Sequence, residues 1–381
     1  MSRSRVAVVR CETYDPDAVY GALARGVALL GGLDRFVSPG ERLLLKPNLL
    51  AGDPPDRVVT THPSVLAACV RLLRQGGASA LFGDSPGLDS PARAAARAGL
   101  TKAGIKSGAE FADFSAGRHM AFPDGQVVSG FPIAEPVHAC DGIINLPKMK
   151  THQLTRITGA VKNLFGCVPG KRKALYHVQF QDVMAFSGLL VDLSLYLRPR
   201  LHVMDAIVAM EGNGPRSGDP RPMHALILSA DPVAVDATCC RMVALDPTFV
   251  PTTTIGQERG LGEFRREQIE YVGDPLESLI DEDFRIVRTR VRSNASYAHY
   301  GIIKTAVLPR PVIDEDRCVK CGRCVDACPV PDKAVRFEDG RSAPPRYDYD
   351  LCIRCYCCHE MCPERAIDKR TPLLGRLLGM G

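Results

Sequence analysis

The sequence contains no window approaching the roughly 18 unbroken apolar residues of a membrane span, so a spanning helix is not expected. Met1 to Arg10 is a short basic start running into a strand-like segment. It lacks the apolar core and cleavage site of a secretory signal, and the expected location is cytoplasmic. Lys and Arg number 48 against 43 Asp and Glu, a formal charge of +5, and they are scattered; no stripe suited to nucleic acid emerges. With 34 glycines and 29 prolines in 381 residues, low-complexity disorder and fibres are excluded. No Gly-x-Gly-x-x-Gly follows a strand, which leaves no nicotinamide or flavin fingerprint. The absence of Cys-x3-Cys-x2-Cys argues against radical adenosylmethionine chemistry.

What is present is cysteine, 15 in all. Six are dispersed at Cys11, Cys69, Cys140, Cys167, Cys239 and Cys240, while nine crowd between Cys318 and Cys362. A chain in a reducing compartment does not use thiols as staples, so the crowd reads as a metal-binding module. It is a repeat. Cys318-x2-Cys321-x2-Cys324-x3-Cys328-Pro329 returns 34 positions later as Cys352-x2-Cys355-x2-Cys358-x3-Cys362-Pro363. This is the bacterial ferredoxin run, in which three cysteines hold one [4Fe-4S] cluster and the fourth serves the other. One cluster then takes Cys318, Cys321, Cys324 and Cys362; the other takes Cys352, Cys355, Cys358 and Cys328. Paired zinc sites are the alternative, since thiolate tetrads also bind zinc. Cys357 is a ninth thiol, and its place beside Cys358 leaves open which of the two binds iron.

From Arg5 to Leu308 short apolar runs alternate with amphipathic stretches, the pattern of an α/β body with a mainly parallel sheet. Strands are expected at Val6–Val9, Leu43–Leu45, Ala80–Phe82, Gly142–Asn145, Leu201–Val203 and Ala225–Leu228. Helices are expected from Pro63 to Gly76 and from Asp231-Pro232 through Val243. The expected units are a body over 1–310, possibly in two subdomains, a small α+β ferredoxin-like module over 311–370 and a tail over 371–381.

Polar segments follow the strands: Lys46-Pro47-Asn48, Gly83 to Gly87, Lys148 to His152 and Asp205 to Gly214. Read as strand-end loops, they should converge on one cleft, because open α/β sheets bind ligands beyond the carboxyl ends of their strands. The densest chemistry lies between Asn145 and His177, where Lys148, Lys150, His152, Lys162, Lys171, Arg172, Lys173 and His177 suit an anionic small molecule. A solvated basic face is the plain alternative, above all for Lys171 to Lys173. Gly166 to Lys171 is one residue short of a phosphate loop, and Arg172 stands where a magnesium-binding hydroxyl is required.

The candidate catalytic residues are Lys150, His152 and Lys162, a strand end being a place where a lysine pKa is lowered or a protonated imidazole held. Lys46, Asn48, Asp84, Lys148, Asn163 and His177 are the candidate substrate-binding residues. Asp84 serves equally as an Asx-turn residue. His62 reads as a helix cap, Asp205 and Glu211 as turn acids or an acid-base pair, and Cys167 as packing.

Several stretches resemble the DUF362 family, a domain of unknown function often fused to a ferredoxin-like tail. They are LKPN at Leu45–Asn48, TTHPSVL at Thr60–Leu66, GDSPG at Gly83–Gly87, LPKMKTH at Leu146–His152, TGAVKNLFG at Thr158–Gly166, MDAIVAMEGNGP at Met204–Pro215 and DPVAVDATC at Asp231–Cys239. The resemblance covers nearly the whole chain and implies an α/β body with an iron-sulfur module and a redox role. The expected activity is a reductase passing electrons from two [4Fe-4S] clusters to a small anionic or conjugated substrate, most naturally across a double bond. Its expected partners are that substrate and an external donor such as reduced ferredoxin or flavodoxin, with homodimerisation open. The alternatives are an electron carrier without substrate chemistry and a redox-sensing anion- or metal-binding module.

Overall fold

The computed structural model describes residues 3–170, 172–291, 293 and 301–377; Lys171 lies outside them. Ten strands of the body form one mixed sheet. Its order is Ile269–Gly273, Ser4–Arg10, Asp219–Ser229, Leu201–Glu211, Gly142–Leu146, Arg42–Pro47, Ser79–Phe82 and Glu110–Phe111. Strand Lys148–His152 also lies beside Leu201–Glu211, and Arg156–Ile157 pairs with Lys148–His152. Along the main order all neighbours run parallel except Asp219–Ser229, which is antiparallel to both of its partners.

The unbroken apolar strands arise because both faces are covered, as parallel sheets require. Leu43 and Leu45 pack into one apolar cluster while Leu44 enters another. Ala7 and Val9 likewise separate from Val6 and Val8. Helix Pro63–Gln75 lays Val65, Leu66, Cys69, Leu72 and Leu73 against the first of these faces. His62 caps it, its Nδ1 accepting from Ser64 N at 3.2 Å. Asp231 caps helix Pro232–Met242 in the same way through Ala234 N at 2.9 Å.

Two expectations need correction. Residues 148–152 form a strand instead of a loop, and 205–211 prolong the strand that begins at Leu201. The physical reason is pairing across the sheet: Asp205 is in register with Lys148, and its carboxylate accepts from Lys148 Nζ at 2.9 Å and from Tyr14 OH at 2.8 Å. Each charge is neutralised by the other, so the strands continue where single-sequence patterning suggests a turn. Glu211 is engaged too, by the Arg285 guanidinium at 2.9 Å.

The cysteine-rich module is closed by strands Arg310–Ile313 and Ile367–Arg370, which pair antiparallel, and by a smaller pair, Val335–Arg336 with Arg346–Tyr347. It sits over the carboxyl ends of strands Arg42–Pro47 and Ser79–Phe82. Arg216 ties it down, binding Asp53 through two nitrogens and donating to Met361 O at 2.8 Å. Asn213 donates to Asp368 at 3.1 Å, and Arg323 pairs with Asp89 at 2.9 Å. Gly87 is needed at this seam because a Cβ there would lie 2.6 Å from Met361 Sδ. Among the described residues no helix is long and apolar enough to cross a membrane.

Candidate functional site

In the module, Cys318, Cys321, Cys324 and Cys362 line one small void. Three thiols of the first run thus meet the last thiol of the second, the arrangement expected for crossed cluster ligation. The repeat is also a repeat of backbone. Lys320 and Arg354, 34 positions apart, take φ of 57° and 61°; Gly322 and Tyr356 take 81° and 62°. Such left-handed residues between cysteines turn successive amides toward one centre, an anion-binding concavity. Each run then enters a short helix, Arg323–Ala327 or Cys357–Met361. This register assigns the ambiguous thiol: Cys358 occupies the place of Cys324, and Cys357 the place of Arg323. Cys357 accordingly faces the body.

A buried guanidinium tests whether the module fits an anionic cluster. Arg354, between Cys352 and Cys355, is 4% exposed, and among the described residues its guanidinium meets the Cys352 thiol but pairs with no carboxylate. A buried cation without a counter-charge is costly. A [4Fe-4S] centre with four thiolates carries about two net negative charges and supplies the missing counter-charge.

Between body and module lies a cavity of about 330 Å³. Its body wall includes Asn48, Asp84, Lys150, Lys162, Asn163, Lys173 and His177; the module contributes Cys328, Cys357, Glu360 and Met361. The residues come from far apart in sequence, and the strand ends gather them. Behind the wall, Lys46 Nζ lies 2.8 Å from Asp84 Oδ1, both buried. Gly166 permits that pair, since a Cβ there would fall 1.8 Å from Asp84 Oδ1 and 2.7 Å from Lys46 Nζ. Asp84 also accepts from Leu49 N and Ser85 N at 2.8 and 2.9 Å. Asp84 therefore shapes its turn, and it also lines the cavity.

Asn48 is the hinge of a polar chain. Its Oδ1 accepts from Lys150 Nζ at 2.8 Å, and its Nδ2 donates to Asn163 Oδ1 at 2.8 Å. Asn163 in turn donates to Asn145 Oδ1 at 2.7 Å. Lys150 also donates to Val59 O at 2.7 Å. Burial, reinforced by repulsion from Lys162, pushes the Lys150 ammonium down to about 7. Near neutral pH it therefore both holds and releases a proton.

Three expected residues behave differently from their sequence-based roles. Lys148 is held by Asp205 and Tyr14 and is not part of the cavity wall. His152 stands behind the wall. Its Nδ1 accepts from Leu154 N at 3.0 Å, and its Nε2 lies 3.0 Å from Glu360 Oε1 at ion-pair distance without hydrogen-bond alignment. Burial and the positive charge of Lys162 lower its pKa to about 4, so the imidazole is neutral near pH 7 instead of protonated. His177 lines the cavity, but burial takes it to about 4 as well, with its ring stacked on Phe186 at 4.5 Å.

One wall residue, Glu360, escapes sequence reasoning, and for another the plainer reading fails. Lys173 reads either as part of an anion site or as a solvated face, and its ammonium turns inward to Ser85 Oγ at 2.5 Å and Val168 O at 2.9 Å. Burial lowers it to about 7. The signal for the inward reading is its place one turn before His177 on an amphipathic helix, Arg172–Gln179. Glu360 lies between two cysteine ligands, where the cluster motif masks any other role. Burial would raise its carboxyl, but Lys162 and then His152 outweigh that and hold it well below the usual range.

Comparison with known proteins fits this division. Residues 310–363 match the 4Fe-4S dicluster domain, which makes the C-terminal module an iron-sulfur electron-transfer unit. Residues 43–241 match the domain of unknown function DUF362, and the chain belongs to that family. It is similar to the thylakoid-associated protein sll1697 of Synechocystis sp., at 35% identity over 277 residues, 72% of this chain and 86% of the relative.

Proposed function

We propose that this protein is an iron-sulfur oxidoreductase that reduces a small anionic, conjugated organic substrate bound between body and module. The observation that carries this reading is the shared wall of one cavity: Lys150, Lys162 and Lys173 on one side, the cluster-ligand thiol Cys328 on the other. An electron carrier has no need of such a chamber. Cys318, Cys321, Cys324 and Cys362 would hold one [4Fe-4S] cluster, and Cys352, Cys355, Cys358 and Cys328 the second. Bound there, the clusters supply electrons one at a time, drawn from an external donor such as reduced ferredoxin or flavodoxin.

The chain's own residues do the rest. Lys162 and Lys173 attract the anionic group, in a setting where partial burial makes each charge count more than in water. Lys150, hydrogen-bonded to Asn48, delivers one proton to the substrate as two electrons arrive and is reprotonated from solvent, which also supplies the second proton. A double bond thereby gains two electrons and two protons. Asp84, Asn163 and His177 shape the chamber, while Lys46 fixes Asp84 and His152 positions Glu360.

The test is Lys150→Met in anaerobically purified holoprotein supplied with dithionite and α,β-unsaturated carboxylates such as fumarate, crotonate and cinnamate. Saturated product should form with the wild type and fall by about two to four orders of magnitude in the variant, the usual worth of a positioned acid. Iron content and visible absorption should stay the same. A variant with full turnover would remove the body from the chemistry.

A further inference from the structure

The two thiol sites are alike in backbone and unlike in charge. The residue between the first and second cysteines, two places after the first, is Lys320 in one run and Arg354 in the other. Lys320 is half-buried and its Nζ is already engaged by Ser342 O at 2.6 Å. Arg354 is buried, its guanidinium rests 5.0 Å from the Tyr349 ring centroid and meets the Cys352 thiol, and no carboxylate pairs with it among the described residues. Lys304 adds a second positive charge near Cys352, itself faced by Asp350 and Asp348. Glu360 is a further acid on that side, and its charge is met chiefly by Lys162. The first site has Glu364 on its wall and Arg341 beside Gly322. Water reaches it, because Cys321 is exposed and Val319 is 61% exposed.

A positive charge fixed in a dry site stabilises the reduced, more negative state of a neighbouring centre, whereas an exposed charge is screened. The polarity of the two sites also matches their positions. The first opens to solvent, and Cys328 of the second lines the cavity.

We propose that Arg354 makes the second-run cluster the higher-potential centre of the two, so that electrons are received at the exposed first-run cluster and collect beside the cavity. A one-electron donor protein docking over Cys321 is oxidised as the first-run centre is reduced. That centre is reoxidised as the second-run centre takes the electron, and two such transfers serve one double bond. The proposal rests on the two-cluster reading above.

The experiment is a redox titration followed by electron spin resonance on anaerobic holoprotein whose iron content has first been measured. About four irons per wild-type chain would sink the two-cluster reading itself. With about eight, the wild type should show two midpoints separated by more than 59 mV, a tenfold preference of the single electron for one centre. Arg354→Gln should lower the upper midpoint by at least tenfold in that preference and leave the lower one in place; Lys320→Gln should move neither comparably. Coincident wild-type midpoints, or an Arg354→Gln effect on the lower midpoint alone or on neither, would overturn the proposal. If Arg354→Gln retains only one cluster, Arg354→Lys decides. Keeping the charge, it should preserve most of the separation, and a collapsed separation would count against Arg354 as its source.

Discussion

His152 Nε2 of the body and Glu360 Oε1 of the cluster module lie 3.0 Å apart across the seam between them. The imidazole is neutral above about pH 4 because burial and Lys162 oppose its protonation. Its backbone-fixed Nδ1 leaves Nε2 as the proton-bearing nitrogen facing the carboxylate. His152 is therefore a positioning residue. His152→Ala should lower turnover by about five- to 150-fold, the worth of the 1–3 kcal/mol at stake when the buried Glu360 carboxylate loses the group that faces it. His152→Gln, which keeps a donor, should recover most of the loss. The rate profile between pH 5 and 8 should keep its shape in both variants; a limb that disappears with His152 would show that the imidazole itself titrates.

Lys150 and Lys173 predict a pH dependence of stability. Each has an ordinary value of 10.5 and is brought to about 7 by burial. Between those values the unfolded chain binds more protons than the folded one, so this contribution to stability rises with pH from about 7 to about 10.5 and is flat below about 7, where both states are protonated. The melting temperature of the holoprotein should be higher at pH 8.5 than at pH 6.5. A Lys150→Met, Lys173→Met double variant should flatten that rise, and an unchanged slope would assign it to other groups.

Gly166→Ala tests the packing that supports the cavity wall. The added Cβ would fall on Asp84 Oδ1 at 1.8 Å and near Lys46 Nζ at 2.7 Å. Overpacking of a tight interior costs about 1–3 kcal/mol, and the displaced ion pair adds to it. Calorimetry should show a lower melting temperature; equal stability would mean that the Lys46–Asp84 contact is loose.

Crossed ligation makes a separate prediction. Cys362 faces the void of the first run, so its counterpart Cys328 serves the second. Iron and sulfide should be near eight each per chain. Cys328→Ala should alter the spin signal of the second-run cluster and spare the other, while Cys357→Ala should retain both clusters. Loss confined to the first-run signal in Cys328→Ala would indicate independent sites.

The cysteine runs and the buried strands were legible because each follows a local rule: fixed ligand spacing in one case, unbroken apolar runs in the other. So were Asn48 and Asp84, which follow strands whose ends converge; Lys150 lies within strand Lys148–His152, and Lys162 and Asn163 on helix Gly159–Asn163, so they reach the same wall by packing that the strand-end rule does not describe. The role of Lys148 was hidden because its partner, Asp205, lies 57 residues away and only the sheet register joins them. Glu360 was hidden for a related reason: it looks like filler between ligands until the body supplies His152 and Lys162. For Lys173 two readings stood side by side, a helix charge in solvent or an anion-site residue, until Ser85 and Val168 are seen to hold its ammonium.

The central claim is that electrons leave the module through the cavity. Ala174, on the cavity wall, offers a way to close it: Ala174→Trp fills the chamber and leaves the thiols and lysines unchanged. Dithionite-reduced holoprotein should be reoxidised by crotonate or fumarate in the wild type and at least tenfold more slowly in Ala174→Trp. Ferricyanide, which can take electrons at the exposed face near Cys321, should reoxidise both at the same rate. Equal rates with the unsaturated acids in the two proteins, or no reoxidation of the wild type by them, would contradict the account.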